Sequence, residues 1–180
     1  TIEISKVDGP VYLRFGRPKV PNFTNLEQKF EIGKGILLNE GNDVTIVATG
    51  HLVWESIIAG RKLSDMGISA EIINIHTIKP IDKKIILKSI NKSRCLVSAE
   101  EHNFLGGLGE SISRVLTEND PVPQEFVATN DTFGESGSPS KLMKKYGLDS
   151  NSIVKAVKKV LLRKWKKNIY YFFLFWYFQI

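Results

Sequence analysis

The chain has 180 residues, 42% of them hydrophobic and 24% charged, with 14 glycines, 7 prolines and one cysteine. That is room for one domain with a full core, and it excludes a disordered chain, a collagen-like fibre and a coiled coil. The single cysteine excludes an intrachain disulfide framework and a multi-cysteine zinc site.

The net charge of +6 is unevenly placed. From Lys155 onward there are seven basic residues and no acid, so residues 1–154 carry 18 basic and 19 acidic groups, net −1. The basic character belongs to the tail, and a nucleic-acid partner is not expected. Thr1–Lys6 has no apolar core of the signal-peptide kind, so a cytoplasmic location is expected. The first residue is not Met, and the chain reads as a piece of a longer one.

In chain order, Val11–Phe15 alternates and predicts a short strand entered through Gly9-Pro10. Gly16-Arg17-Pro18-Lys19-Val20-Pro21 then breaks regular structure, because proline supplies no ladder donor, and an extended linker is expected to about residue 29. An α/β alternation follows. Strands are expected over 34–38, 44–48, 70–75, 94–98 and 124–128. Helices are expected over 52–66, closed by Gly67, then 82–91, 108–118 and 151–164. Ser138-Pro139 opens a further short helix, with Ser138 as its cap and Pro139 where a missing N–H does no harm. Strands separated by helices of this length form parallel crossovers. The expected fold is α/β, a three-layer, open, mostly parallel sheet of five strands.

The end of the chain departs from this order. Nine of the eighteen aromatics lie from Trp165 on, beside Lys164, Lys166 and Lys167. The apolar run 169–178 is about half the ~20 residues needed to span a bilayer. It suits membrane-interface contact, packing into an absent partner, or a non-native extension.

In an open α/β sheet, ligands sit beyond the carboxyl ends of the strands. Four clusters fall there: Thr49-Gly50-His51; His76 to Pro80; Glu100-Glu101-His102-Asn103 with Gly106-Gly107-Leu108-Gly109; and Asp131 to Gly137. Their shared rim is the main candidate surface. The glycine cluster suits either a phosphate cradle at a helix start or close helix–sheet approach, and it is not a dinucleotide fingerprint. Glu100, Glu101 and His102 are acid/base types, but consecutive residues do not all face one pocket. Three scattered histidines make no metal site. Ser136 lacks a nucleophile elbow, and Cys95 sits inside a strand pattern. Arg14 and Arg17 lie at a domain boundary, where a guanidinium suits bidentate phosphate recognition or an inter-domain ion pair.

At these residues the chain resembles a known family. Gly9-Pro10-Val11-Tyr12-Leu13-Arg14-Phe15-Gly16-Arg17 is similar to the end of the pyrimidine-binding domain of transketolase-like thiamine-diphosphate enzymes. Val44 to Gly50, Ile75 to Asp82, Glu100 to Asn103 with the Gly-Gly-Leu-Gly run, and Asp131 to Gly137 resemble their C-terminal domain. The match is best to the C-terminal half, or separate C-terminal subunit, of transketolase, and the tail has no counterpart in it. The resemblance implies that residues 1–17 end a truncated pyrimidine domain, 18–29 form a linker, 30–162 form the C-terminal domain and 163–180 form an atypical tail. It implies thiamine diphosphate and Mg in the complete assembly, with none bound by this chain alone. It assigns Arg17 to the substrate phosphate and leaves Arg14, His51, His76, Glu100, His102 and Phe133 as rim or interface residues. The implied partners are an N-terminal transketolase subunit, a second copy in homodimer-type contacts, and a sugar phosphate. The competing expectations are a 1-deoxy-D-xylulose-5-phosphate synthase or 2-oxoacid dehydrogenase β subunit, a non-catalytic interaction module, and a free-standing nucleotide-binding domain.

Overall fold

The computed structural model describes residues 1–16, 19–25 and 27–177, with side chains as far as Lys164. The expected role of Arg17 and the aromatic run of the tail therefore lie outside the described side chains. Five strands form one sheet: β1 (Ile36–Asn39), β2 (Val44–Ala48), β3 (Ala70–Asn74), β4 (Leu96–Asn103) and β5 (Gln124–Thr129). Five helices accompany them: α1 (Leu52–Ser64), α2 (Lys83–Ser93), α3 (Leu108–Asn119), α4 (Pro139–Lys145) and α5 (Ser150–Tyr177). The strand order is β1-β3-β2-β4-β5, with β1 antiparallel to β3 and every other pairing parallel. This is the expected mostly parallel α/β sheet.

The reason is visible in β2. All five of its residues are buried, as expected for a central strand covered on both faces. Successive side chains point to opposite faces. Val44, Ile46 and Ala48 join Leu52, Ala59, Ile153, Val157 and Val160 on the α1/α5 side. Val47 joins Ile73, Ile86, Ile90, Leu108 and Ile112 on the α2/α3 side. Each such aliphatic side chain contributes about 1.5–3 kcal/mol of transfer free energy. Thr45 also faces α2, and its hydroxyl pairs with those of Ser89 and Ser93 at 2.6 and 2.7 Å, so the buried polar group is satisfied.

Caps fix the element ends. The Asp82 carboxylate accepts from the amides of Lys84 and Ile85 at the start of α2, and from Gly35 N–H at 2.9 Å, which ties the approach to β1 onto the same cap. Arg94 ends α2 in the left-handed region (φ 54°) and pairs with Asp120. The amide of Ser150 donates to Glu55 at 2.7 Å, fastening α5 to α1.

Two expectations need correction. Residues 11–15 form no strand: they run over the surface without regular structure, with Tyr12 87% and Phe15 81% exposed. A strand exists only as one side of a ladder, and none of the described strands pairs with this segment. Ser138 stands at the cap position of α4 with extended backbone, but its side chain makes no capping hydrogen bond. The carboxyl-terminal helix continues past residue 164, its backbone helical to Tyr177. Among the described residues, no helix is long and apolar enough to cross a membrane.

Candidate functional site

The sheet order creates a switch point. From β2 the chain crosses through α1 to β3 on one side, and from β4 through α3 to β5 on the other. The crevice beyond the carboxyl ends of β2 and β4 is where such sheets bind ligands. His51 stands there, at the start of α1, after Gly50 turns the chain with φ +58°. The far end of β4 lies opposite. Its register against β5 shifts between Ala99 and Asn103, and consecutive side chains there point to opposite faces.

Glu100 points inward and is 3% exposed. Its two carboxylate oxygens accept from Leu108 N–H at 2.7 Å and Gly109 N–H at 2.8 Å. It thus caps α3 from a neighbouring strand, a charge placed at the positive end of the helix. Gly107 is required by this arrangement, since a Cβ there would overlap the carboxylate. Gly109 lets α3 approach the sheet: its Cβ would press on the Phe126 ring and stand 2.9 Å from Ser98 Oγ. The two readings of the glycine cluster are thereby separated. The α3 start holds a protein carboxylate, and the glycines serve close approach.

Glu101 points outward and pairs with His51, Oε2 to Nδ1 at 2.7 Å. The surface segment before Arg17 lies on this pair. Arg14 Nη2 donates to the Glu101 carbonyl oxygen at 3.4 Å. Gly16 sits against the His51 imidazole so closely that any Cβ would collide with Cε1 and Nε2. The structure therefore brings Arg14, Gly16, His51 and Glu101 together at the crevice.

The other candidates are apart from this cluster or face solvent. His102 is exposed, with Nδ1 2.9 Å from the carbonyl oxygen of Asn103. Phe133 is 98% exposed; its carbonyl accepts from the Tyr146 hydroxyl at 3.2 Å. The end of β4 that carries His102 is joined to the loop that carries Phe133 by Asn103 Nδ2 donating to Asp131 at 2.7 Å. His76 follows β3 and stacks on Phe30, ring centroids 4.1 Å apart. Its Nδ1 is 2.9 Å from Thr77 Oγ1, and its buried Nε2 has no partner among the described residues. Burial holds the His76 pKa below the usual histidine value. Burial likewise pushes the Cys95 thiol up to about 11. An open depression lined by Thr1, Ile2, Glu3, Lys29 and Phe30 includes none of the rim residues.

The sequence pointed to the rim but not to Glu101 as the member of its acidic pair that faces His51, nor to Gly16. All of Leu96–Glu100 is buried, so alternation along β4 carries no facing signal. The signal available was His51 itself, a ring that needs an acceptor.

Known proteins share this sequence pattern and this fold. Residues 33–153 match the family model described as transketolase, C-terminal domain. The chain belongs to the transketolase C-terminal domain family. A 6-deoxy-6-sulfo-D-fructose transketolase subunit from a Clostridium species is 43% identical over 157 residues, covering 87% of this chain and 49% of that protein. A putative transketolase C-terminal section from Methanocaldococcus jannaschii is also 43% identical over 157 residues, covering 86% of this chain and 49% of its own length. A solved split-gene transketolase, described as an inactive β4 tetramer, superposes with a TM-score of 0.86 at 41% identity, covering 89% of this chain and 52% of that one. The chain thus spans about half the length of the relatives it matches.

The cofactor expected of the complete assembly can be tested against the residues of this transketolase C-terminal domain. Among the described residues, no three His, Cys, Asp or Glu side chains group so as to hold a metal ion. The helix start best placed for a diphosphate, that of α3, is filled by Glu100. These residues do not fit the diphosphate–metal end of the cofactor.

Proposed function

We propose that this chain is the substrate-rim and assembly half of a transketolase that transfers a two-carbon ketol unit between sugars. The thiamine diphosphate and Mg seat belongs to an N-terminal subunit or domain. The observation that supports this reading is the segment 14–16 docked on the switch-point crevice, beyond the strand ends where such sheets bind ligands; the role proposed for Arg17 rests on the resemblance of its motif. A guanidinium recognises a phosphate or sulfonate in bidentate fashion. Binding energy from that remote group positions the reacting carbons. The chemistry itself belongs to the cofactor, and the protein supplies orientation.

Exposed aromatics support assembly with a partner subunit and with a second copy. Tyr12, Phe15 and Phe133 are largely exposed in the single chain, and buried aromatics are what interfaces favour. The matched split-gene protein is described as a tetramer. The same reading puts the chain in the cytoplasm, among the reactions that interconvert pentose phosphates. Residues 1–17 then close a preceding domain, 18–29 link, and 30–162 form the C-terminal domain.

The test is Arg17→Ala in the complex with an N-terminal subunit. The KM for a ketose phosphate is expected to rise about tenfold or more, the loss of one charge-assisted contact of 1.5–3 kcal/mol. Unchanged kinetics would remove Arg17 from the substrate site.

A further inference from the structure

Helix α5 changes its surroundings at Lys164. Up to that point it is a helix of the domain, with Ile153, Val157 and Val160 fully buried in the core on the α1 side of the sheet. Its last described turn is tied to the strands. Arg163 Nη1 donates to the carbonyl oxygen of Gln124 at 2.5 Å and to the Glu125 carboxylate at 2.6 Å. Lys164 Nζ donates to the carbonyl oxygen of Asp43 at 3.1 Å. Gln124 opens β5, and Asp43 immediately precedes β2. The helix has therefore reached the amino ends of the parallel strands, the end of the sheet opposite the crevice. Leu162, in the same turn, is already 67% exposed.

The backbone stays helical to Tyr177, a further rise of about 20 Å at 1.5 Å per residue. The match to the family ends at residue 153, so this part lies outside the matched domain. Lys166 and Lys167 come first, and every residue from 169 to 177 is aliphatic or aromatic. A helix that is apolar at every position has no polar face for water and is stable only when surrounded. A protein groove takes one stripe of a helix, whereas lipid surrounds it. The apolar helical stretch is about 14 Å long, half of the ~30 Å hydrocarbon core, so it enters one leaflet without crossing. Trp165, Tyr170, Tyr171, Trp176 and Tyr177 are of the residue types enriched at headgroup level. Charge selects the lipid. Lys159 and Arg163 are matched to Glu125, while Lys155 and Lys158 are exposed and no acid occurs from Lys155 onward. Basic residues beside an apolar segment favour anionic headgroups. The same excess charge on a second copy disfavours pairing of one tail with another.

We propose that the part of α5 beyond Lys164 is a membrane-surface anchor: it seats the domain on an anionic lipid bilayer by the amino ends of the strands, with the crevice turned away from the lipid.

The experiment floats the full chain through a density gradient with vesicles of phosphatidylcholine alone, or of phosphatidylcholine and phosphatidylserine in equal parts. Flotation separates bound protein from aggregates. The chain is expected to float with the mixed vesicles, weakly with phosphatidylcholine, and less as salt is raised. Lys166→Gln combined with Lys167→Gln is expected to lower affinity for the mixed vesicles about thirtyfold. Phe172→Ser combined with Phe175→Ser is expected to abolish flotation with both kinds. Both pairs of substitutions lie beyond the packed part of α5, so circular-dichroism melting of the domain stays as in the wild type. Orientation has its own readout. Mixed vesicles should protect the bonds after Lys166 and Lys167 from trypsin and leave cleavage at Arg14–Phe15, at the crevice end, unchanged.

No flotation with the mixed vesicles would overturn the proposal. So would flotation that neither pair of substitutions weakens, because the lipid contact would then lie elsewhere. An oligomer that the phenylalanine substitutions dissociate, without flotation of the wild type, would make the tail a contact between copies and refute the lipid anchor. Protection of Arg14–Phe15 by vesicles would refute the orientation.

Discussion

Glu100 offers the sharpest test of how the crevice is held. Its carboxylate lies at 3% exposure and accepts two amide protons at 2.7 and 2.8 Å from the first turn of α3. Glu100→Ala leaves both amides buried without acceptors, at about 1–3 kcal/mol each, and removes a charge from the helix start. A loss near 3 kcal/mol is expected against a total of about 5–15 kcal/mol for a domain of this size. Glu100→Gln keeps the volume and one acceptor oxygen, so about half that loss is expected. The assay is urea denaturation followed by circular dichroism, at fixed protein concentration because association also shifts apparent stability. In thermal terms Glu100→Ala should lower Tm by roughly 6–12 °C, from 2–4 °C per kcal/mol. A loss below about 0.5 kcal/mol in Glu100→Ala would show that the carboxylate is not the cap, and the assignment of the glycine cluster to close approach would fall with it.

Other outcomes follow from the same structure. Burial lowers the His76 pKa, so the native state holds this ring neutral while the unfolded chain protonates near 6.5. The unfolded state then binds more protons as pH falls through that value, so stability present above pH 6.5 declines toward the native pKa. His76→Gln should flatten that decline in a Tm series from pH 7.5 to 5, and an unchanged slope would contradict it. Cys95, pushed up to about 11, should resist iodoacetamide at pH 7.5 in the native protein and react on unfolding. Rapid native labelling would mean that the thiol is reachable. Gly109→Ala should destabilise the chain by about 1–3 kcal/mol through overpacking against Phe126 and Ser98, read from the same urea titrations.

Much of the fold was legible because its determinants are local. Val44–Ala48 is a continuous apolar run, and a strand buried on both faces needs one. Asp82 followed by an apolar helical pattern marks a capped helix. The strand expected at 11–15 failed because alternation describes a strand's faces and says nothing of a partner to pair with. Arg94 reads as part of a strand in sequence and is the left-handed end of α2 in the structure, a conformation fixed by where the helix stops. The rim itself was legible from the strand ends. Within it, Glu100 and Glu101 are adjacent in sequence and opposite in role, one turned in to cap a helix and the other turned out to hold His51. Alternation turns adjacent strand residues to opposite faces, and which of the two turns inward is set by the packing of α3 on the sheet, a long-range property with no local signal.

The central claim is that this chain is half of a catalyst, and one measurement addresses it directly. Ketol transfer from a ketose phosphate to an aldose is assayed with thiamine diphosphate and Mg, using the chain alone, an N-terminal transketolase subunit alone, and the two mixed. The account predicts activity in the mixture only, rising to a plateau at equimolar chains. Turnover by this chain alone, or a mixture no more active than its parts, would contradict it.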